Sequence, residues 1–109
     1  MEKTNIKTLF VDFDGTTFYH ATQTIIPGTK EKFKEWKEKG YTIIITTARQ
    51  VDAEEITVKA LQDNELEYDG IIFGLSNGDR VVINDIKEGR DRAFGINVER
   101  DGGISHLDI

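Results

Sequence analysis

Leu9-Phe10-Val11-Asp12-Phe13-Asp14-Gly15-Thr16-Thr17 is an apolar run that ends in two aspartates one residue apart. A glycine and two hydroxyl residues follow at once. On an extended backbone, residues i and i+2 point to the same side. Asp12 and Asp14 are therefore expected to face one site, provided that strand geometry persists through Phe13. Carboxylates that close repel each other unless a cation lies between them or they share a proton. Gly15 allows a turn or the close approach of a ligand, and Thr16 supplies a hydroxyl and an N–H there. An Asp-Gly pair by itself signals only a turn. The preceding apolar run and Asp12 make the stretch read as a strand that delivers a polar site.

Two further segments have the same form. Tyr41 to Ile45 is rich in β-branched residues with no polar alternation, as in a strand covered on both faces, and it ends in Thr46-Thr47-Ala48-Arg49. Arg80 to Ile83 is a third apolar strand, running into Asn84-Asp85. Ile71 to Phe73 is a short strand, and Phe94 to Val98 reads as the last one. Between these, Pro27-Gly28-Thr29 opens a helix to about Lys39, with Phe33 and Trp36 on its inner face and Gly40 as its stop. Trp36 is read as core. Asp52 and Glu55 form a capping box for a second helix through about Asp63. Thr17 to Ile26 lacks periodicity and is a loop or small flap.

Strands alternating with helices indicate an α/β fold: a Rossmann-like three-layer sandwich around a mostly parallel sheet with right-handed crossovers. Ligands in such sheets bind at the carboxyl ends of the strands. The polar clusters after the first, second and fourth strands are therefore expected to converge.

The chain has 109 residues, which suits one domain over residues 1–109. Apolar residues make up 38% and charged residues 31%, and no apolar stretch approaches the roughly 20 residues that span a bilayer. Met1 to Thr8 is polar and unlike a secretory leader. There is no cysteine, which removes disulfides and thiolate metal sites. These features point to a cytoplasmic protein without a membrane partner. Twenty acidic against fourteen basic residues give a net charge of −6, a field that disfavours nucleic acid as a partner.

The first stretch resembles the opening motif of the haloacid dehalogenase superfamily, an apolar strand followed by Asp-x-Asp-Gly-Thr. The resemblance implies that Asp12 is a nucleophile taking up a phosphoryl group and that Asp14 is its general acid and base. A carboxylate can form an aspartyl-phosphate, splitting one hard displacement into two steps. The segment from Ile43 to Arg49 is similar to the second motif. Thr47 is the first choice for holding a phosphoryl oxygen, Thr46 the alternative, and Gly15 a further phosphate contact; Arg49 either contacts substrate or pairs with an acid. Val81 to Asp85 is similar to the fourth motif, with Asn84 where many members carry a first aspartate. Asp12, Asp14 through its backbone carbonyl, and Asp85 are then the implied Mg²⁺ ligands. The family's third motif, a basic residue, is the poorest match: Arg80 is preferred, Lys87 is closer to Asp85, and Lys59 also qualifies.

What the resemblance implies is a magnesium-dependent phosphomonoesterase acting on a small phosphorylated metabolite, a compact member of the family with no cap domain. Only about 29 residues separate Thr17 from Thr47, too few for a cap. Specificity would come from the flap, where Tyr19 and His20 sit, or from a homo-oligomeric partner. The alternatives are a phosphate- or partner-binding domain with weak or no turnover, and a phospho-accepting signalling receiver.

Overall fold

A computed structural model describes residues 6–109 of the chain; the polar start at residues 1–5 lies outside the described residues. Three strands form a parallel sheet in the order β1-β2-β3: β1 (Thr8–Asp12), β2 (Thr42–Thr46) and β3 (Gly70–Ile72). Helix α1 (Thr29–Glu38) connects β1 to β2, and α2 (Glu54–Asp63) connects β2 to β3. The α/β class with a parallel sheet is as the sequence reads. Steadily advancing strand order with right-handed crossovers sets both helices against one face of the sheet.

The register explains which side chains go inside. Leu9 pairs with Ile43 and Val11 with Ile45. Successive residues alternate faces, so these side chains share the helix-covered face. There they join Phe33 and Trp36 of α1 and Ala60 and Leu61 of α2 in one buried cluster. Burial of each large apolar side chain contributes about 1.5–3 kcal/mol. Trp36 is core, as read. The opposite face carries Phe10 and Ile72, which are 61% and 43% exposed.

Helix ends are set by local chemistry. Gly28 takes the left-handed conformation before α1 (φ 93°) and Gly40 takes it after (φ 83°), as the glycine stop implies. The expected Asp52–Glu55 capping box does not form. Val51–Ala53 is instead a 3₁₀ turn leading into α2, and no side chain caps either start. A tightened first turn satisfies donors that a capping box would otherwise take.

The chain after β3 departs most from expectation. Arg80 to Ile83 and Phe94 to Val98 are not strands. Residues 75–98 form a long arm, and its regular structure is the short antiparallel pair β4 (Ile86–Lys87) and β5 (Arg90–Asp91). Apolar β-branched residues favour a strand only where a neighbouring edge pairs with them, and here the arm does not pair with β1. Both ends of the arm are tied down beside the strand ends. Leu75 N–H donates to the Thr47 carbonyl (3.1 Å), and Asp101 N–H donates to the Gly15 carbonyl (2.8 Å). Beyond it Ile104 returns to the core. Among the described residues, no helix is long and apolar enough to cross a membrane.

Candidate functional site

Asp12 is the last residue of β1, and its register partner on β2 is Thr46. Paired residues in parallel strands share a face, so the two side chains stand together at the carboxyl rim. The Thr16 hydroxyl donates to Asp12 Oδ2 (3.2 Å). The Thr17 hydroxyl lies 3.1 Å from the Asp12 and Phe13 carbonyls, which closes the turn. Burial pushes the Asp12 carboxyl above its ordinary value of 3.8. The Thr16 hydrogen bond, the positive charge of Arg80 and the Phe13 N–H oppose that rise, and the negative charge of Asp14 adds to it.

Asp14 has a different environment. Arg49 Nε donates to Asp14 Oδ2 (2.9 Å) and Arg49 Nη2 donates to Oδ1 (2.8 Å), a bidentate pair. Ala21 N–H also donates to Oδ1 (3.1 Å). Arg49 spends its remaining donors on the Thr22 carbonyl, Gln23 Oε1 and the Thr57 hydroxyl. All five guanidinium N–H groups are thereby used. Its Cζ lies 4.5 Å from the Phe13 ring centroid, and Phe13 itself stacks on Phe18 at 4.2 Å. Of the two roles open to Arg49, the structure shows the ion pair. Arg49 therefore links the flap, α2 and Asp14.

The other candidates are separated by the same kind of accounting. Thr47 is fully buried; its N–H donates to the Ile72 carbonyl and its hydroxyl accepts from Arg49 N–H. Thr47 is thus committed to the backbone, and Thr46 is the threonine that borders the same groove as Asp12 and Thr16. Gly15 N–H is likewise spent, on the Phe18 carbonyl (2.7 Å), so that glycine serves the turn (φ 80°). By contrast, the Thr16 N–H has no backbone partner among the described residues. Lys59 pairs with Asp63 on the surface of α2. Lys87 sits on the exposed β4–β5 pair, whereas Arg80 borders the groove and acts on Asp12 by its charge. His20 is exposed, and its N–H is held by the Asp101 carboxylate (2.7 Å).

Asn84 and Asp85 border this groove too, far along the chain from Asp12. Asp12, Thr46 and Asp85 thus line one groove. Among the described residues, no three His, Cys, Asp or Glu side chains gather as ligands for one metal ion. Asp14 is occupied by Arg49, and the Asp85 carboxylate accepts from the Asn84 amide (3.2 Å). The donors of a kind that suits a hard cation are the Asp12 carboxylate and the Asp14 carbonyl, which accepts no backbone hydrogen bond among the described residues.

Comparison with known proteins accords with this arrangement. The chain is similar to a crystallised target protein from Vibrio cholerae at 26% identity, with a TM-score of 0.54 over 72% of this chain and 80% of that one. A search of curated proteins returns no match. Residues 9–92 match the haloacid dehalogenase-like hydrolases. That span runs from within the Asp12 strand to Arg92 in the arm and takes in every candidate considered above. The chain belongs to the haloacid dehalogenase-like hydrolase family.

Proposed function

We propose that this hydrolase cleaves phosphate monoesters of small metabolites through an aspartyl-phosphate on Asp12. The observation that carries the reading is the placement of Asp12: a half-buried carboxylate at the end of β1, with Thr46 as its register partner and Arg80 as its cationic neighbour. Asp12 attacks phosphorus in line with the ester oxygen, and the P–O bond to the leaving group breaks. Asp14 gives that oxygen a proton, then takes one from the water that attacks the aspartyl-phosphate and frees inorganic phosphate. The Thr46 hydroxyl and the Thr16 N–H face the equatorial oxygens, and Arg80 offsets their charge. Asp12 and the Asp14 carbonyl are the groups that would hold Mg²⁺, with Asp85 as the third; when bound, the ion neutralises charge on the transferring phosphoryl group. The stretch between Thr17 and Thr47 holds the flap turns, α1 and β2, so the substrate would be met by the flap rather than by a cap.

The test is a panel of phosphate monoesters assayed with and without Mg²⁺. Wild-type protein should release phosphate from at least one, and Asp12→Asn should lower the rate by about 10⁴-fold or more. Equal rates for both proteins would reject the nucleophile.

A second reading, phosphate binding without turnover, draws on the engagement of Asp14 by Arg49. It predicts calorimetric binding of phosphate with no hydrolysis across the same panel.

A further inference from the structure

The arm and the sheet each lack a partner that the other could supply. In the order β1-β2-β3, β1 is paired on one side only, and among the described residues nothing pairs with its outer edge. Open edges template the addition of another strand. Across from that edge, every residue from Ser76 to Arg92 is exposed. The arm includes Ile83 at 92% and Phe94 at 72%, an apolar load that an isolated surface does not carry without use. An excursion of this length with so little regular structure is itself uncommon unless it serves a function.

Between arm and edge runs a groove of about 1650 Å³. Phe10, Val81, Val82 and Phe94 border it. So does Trp36, whose buried indole N–H has no partner among the described residues. The tied ends of the arm hold Val81-Val82-Ile83 across this space from β1 instead of upon it. The arm's four acidic and four basic side chains cancel, whereas the whole chain carries −6. It can therefore approach a like-charged second copy without net repulsion.

We propose that two copies of this chain exchange arms, so that Val81–Ile83 of each adds to the open edge of the other's β1 in parallel. A single symmetry operation fills both grooves with identical segments. Parallel addition aligns two runs of the same form, Leu9-Phe10-Val11 ending in Asp12 and Val81-Val82-Ile83 ending in Asn84-Asp85. The active site then lies between copies, with Asp12 from one and Asp85 from the other.

With no native cysteine, introduced ones report alone. Phe10→Cys is combined in one chain with Val81→Cys, Val82→Cys or Ile83→Cys in turn, and each double variant is oxidised. Exchange predicts a covalent dimer on a denaturing gel for at least one pair. An internally crosslinked monomer, or no crosslink in any pair, overturns it, as does a monomeric mass for the wild type in sedimentation equilibrium at micromolar concentration. A second readout rests on the phosphatase reading. Asp12→Asn and Asp85→Asn proteins, each inactive alone, are unfolded and refolded together. Mixed dimers hold one intact site, so about a quarter of wild-type activity returns if exchange occurs. No recovery with an active wild type contradicts exchange. An inactive wild type contradicts the phosphatase reading instead, and the crosslinks still decide the arm.

Discussion

Arg49 grips Asp14 through two parallel hydrogen bonds of 2.9 and 2.8 Å, and its other donors reach Thr22, Gln23 and Thr57. One side chain thus fixes the second aspartate of the motif, the flap and α2 relative to one another. Lysine carries the same charge but cannot reproduce a planar fork. Arg49→Lys should cost about 2 kcal/mol of stability, measured by urea unfolding, because the buried Thr57 hydroxyl loses its donor. The same change should lower kcat more than it raises KM, since it misorients Asp14 rather than removing a substrate contact.

Adjacent threonines should separate cleanly. Thr46→Val removes a hydroxyl at the rim beside Asp12 and should reduce kcat/KM by about 10- to 100-fold with little effect on stability. Thr47→Val removes the acceptor for Arg49 N–H and should cost about 1 kcal/mol of stability. Parallel kinetics and thermal melts on the two variants check the assignment.

Two carboxylates should bend the pH profile of stability in opposite directions. Asp69 accepts from Lys37 (2.7 Å) and from Ile43 N–H (2.8 Å), and these bonds hold it below its ordinary 3.8. A lowered acid adds stability above its unfolded value and loses it as pH falls through the folded one. Asp69→Asn should therefore flatten the acid side of the curve below pH 3.8. Asp12 is raised by burial, so its contribution is present below 3.8 and is lost as pH rises through the folded value. At pH 7 Asp12→Asn should melt higher than wild type while losing activity. A lower melting temperature would contradict the burial account.

Gly28 precedes α1 at φ 93°, and a Cβ there would stand 2.5 Å from the Ser105 Cβ. Gly28→Ala should destabilise the fold by about 1–3 kcal/mol, through backbone strain as well as the clash. Ser105→Gly in the same chain should recover only the part due to the clash.

How far the sequence disclosed all this depends on whether the information is local. β1, α1, β2 and β3 lie within a residue of where apolar runs and glycine stops place them. The 3.6-residue and two-residue periods are properties of the segment itself. Asp12 followed by Asp14-Gly15-Thr16 was legible for the same reason. The arm was not, because Val81-Val82-Ile83 has strand chemistry but its pairing depends on an edge about 70 residues away in the chain. The β4–β5 pair turns on Glu88 and Gly89, both at positive φ as a two-residue hairpin needs, and Glu-Gly marks such a turn less strongly than Asn-Gly or Asp-Gly. Which of Thr46 and Thr47 shares a face with Asp12 is a matter of strand parity, which needs the register between β1 and β2. Acceptors for the five Arg49 donors converge from flap, helix and motif, and no spacing rule predicts that.

The central claim is that Asp12 carries the phosphoryl group during turnover. Acid quenching of the protein during steady hydrolysis, followed by peptide mass spectrometry, tests it most directly. The peptide containing Leu9 to Thr17 should gain the mass of one phosphoryl group, with fragments locating it on Asp12, and Asp12→Asn should show none. Rapid hydrolysis with that peptide unmodified, or a label on another residue that survives in Asp12→Asn, would contradict the account.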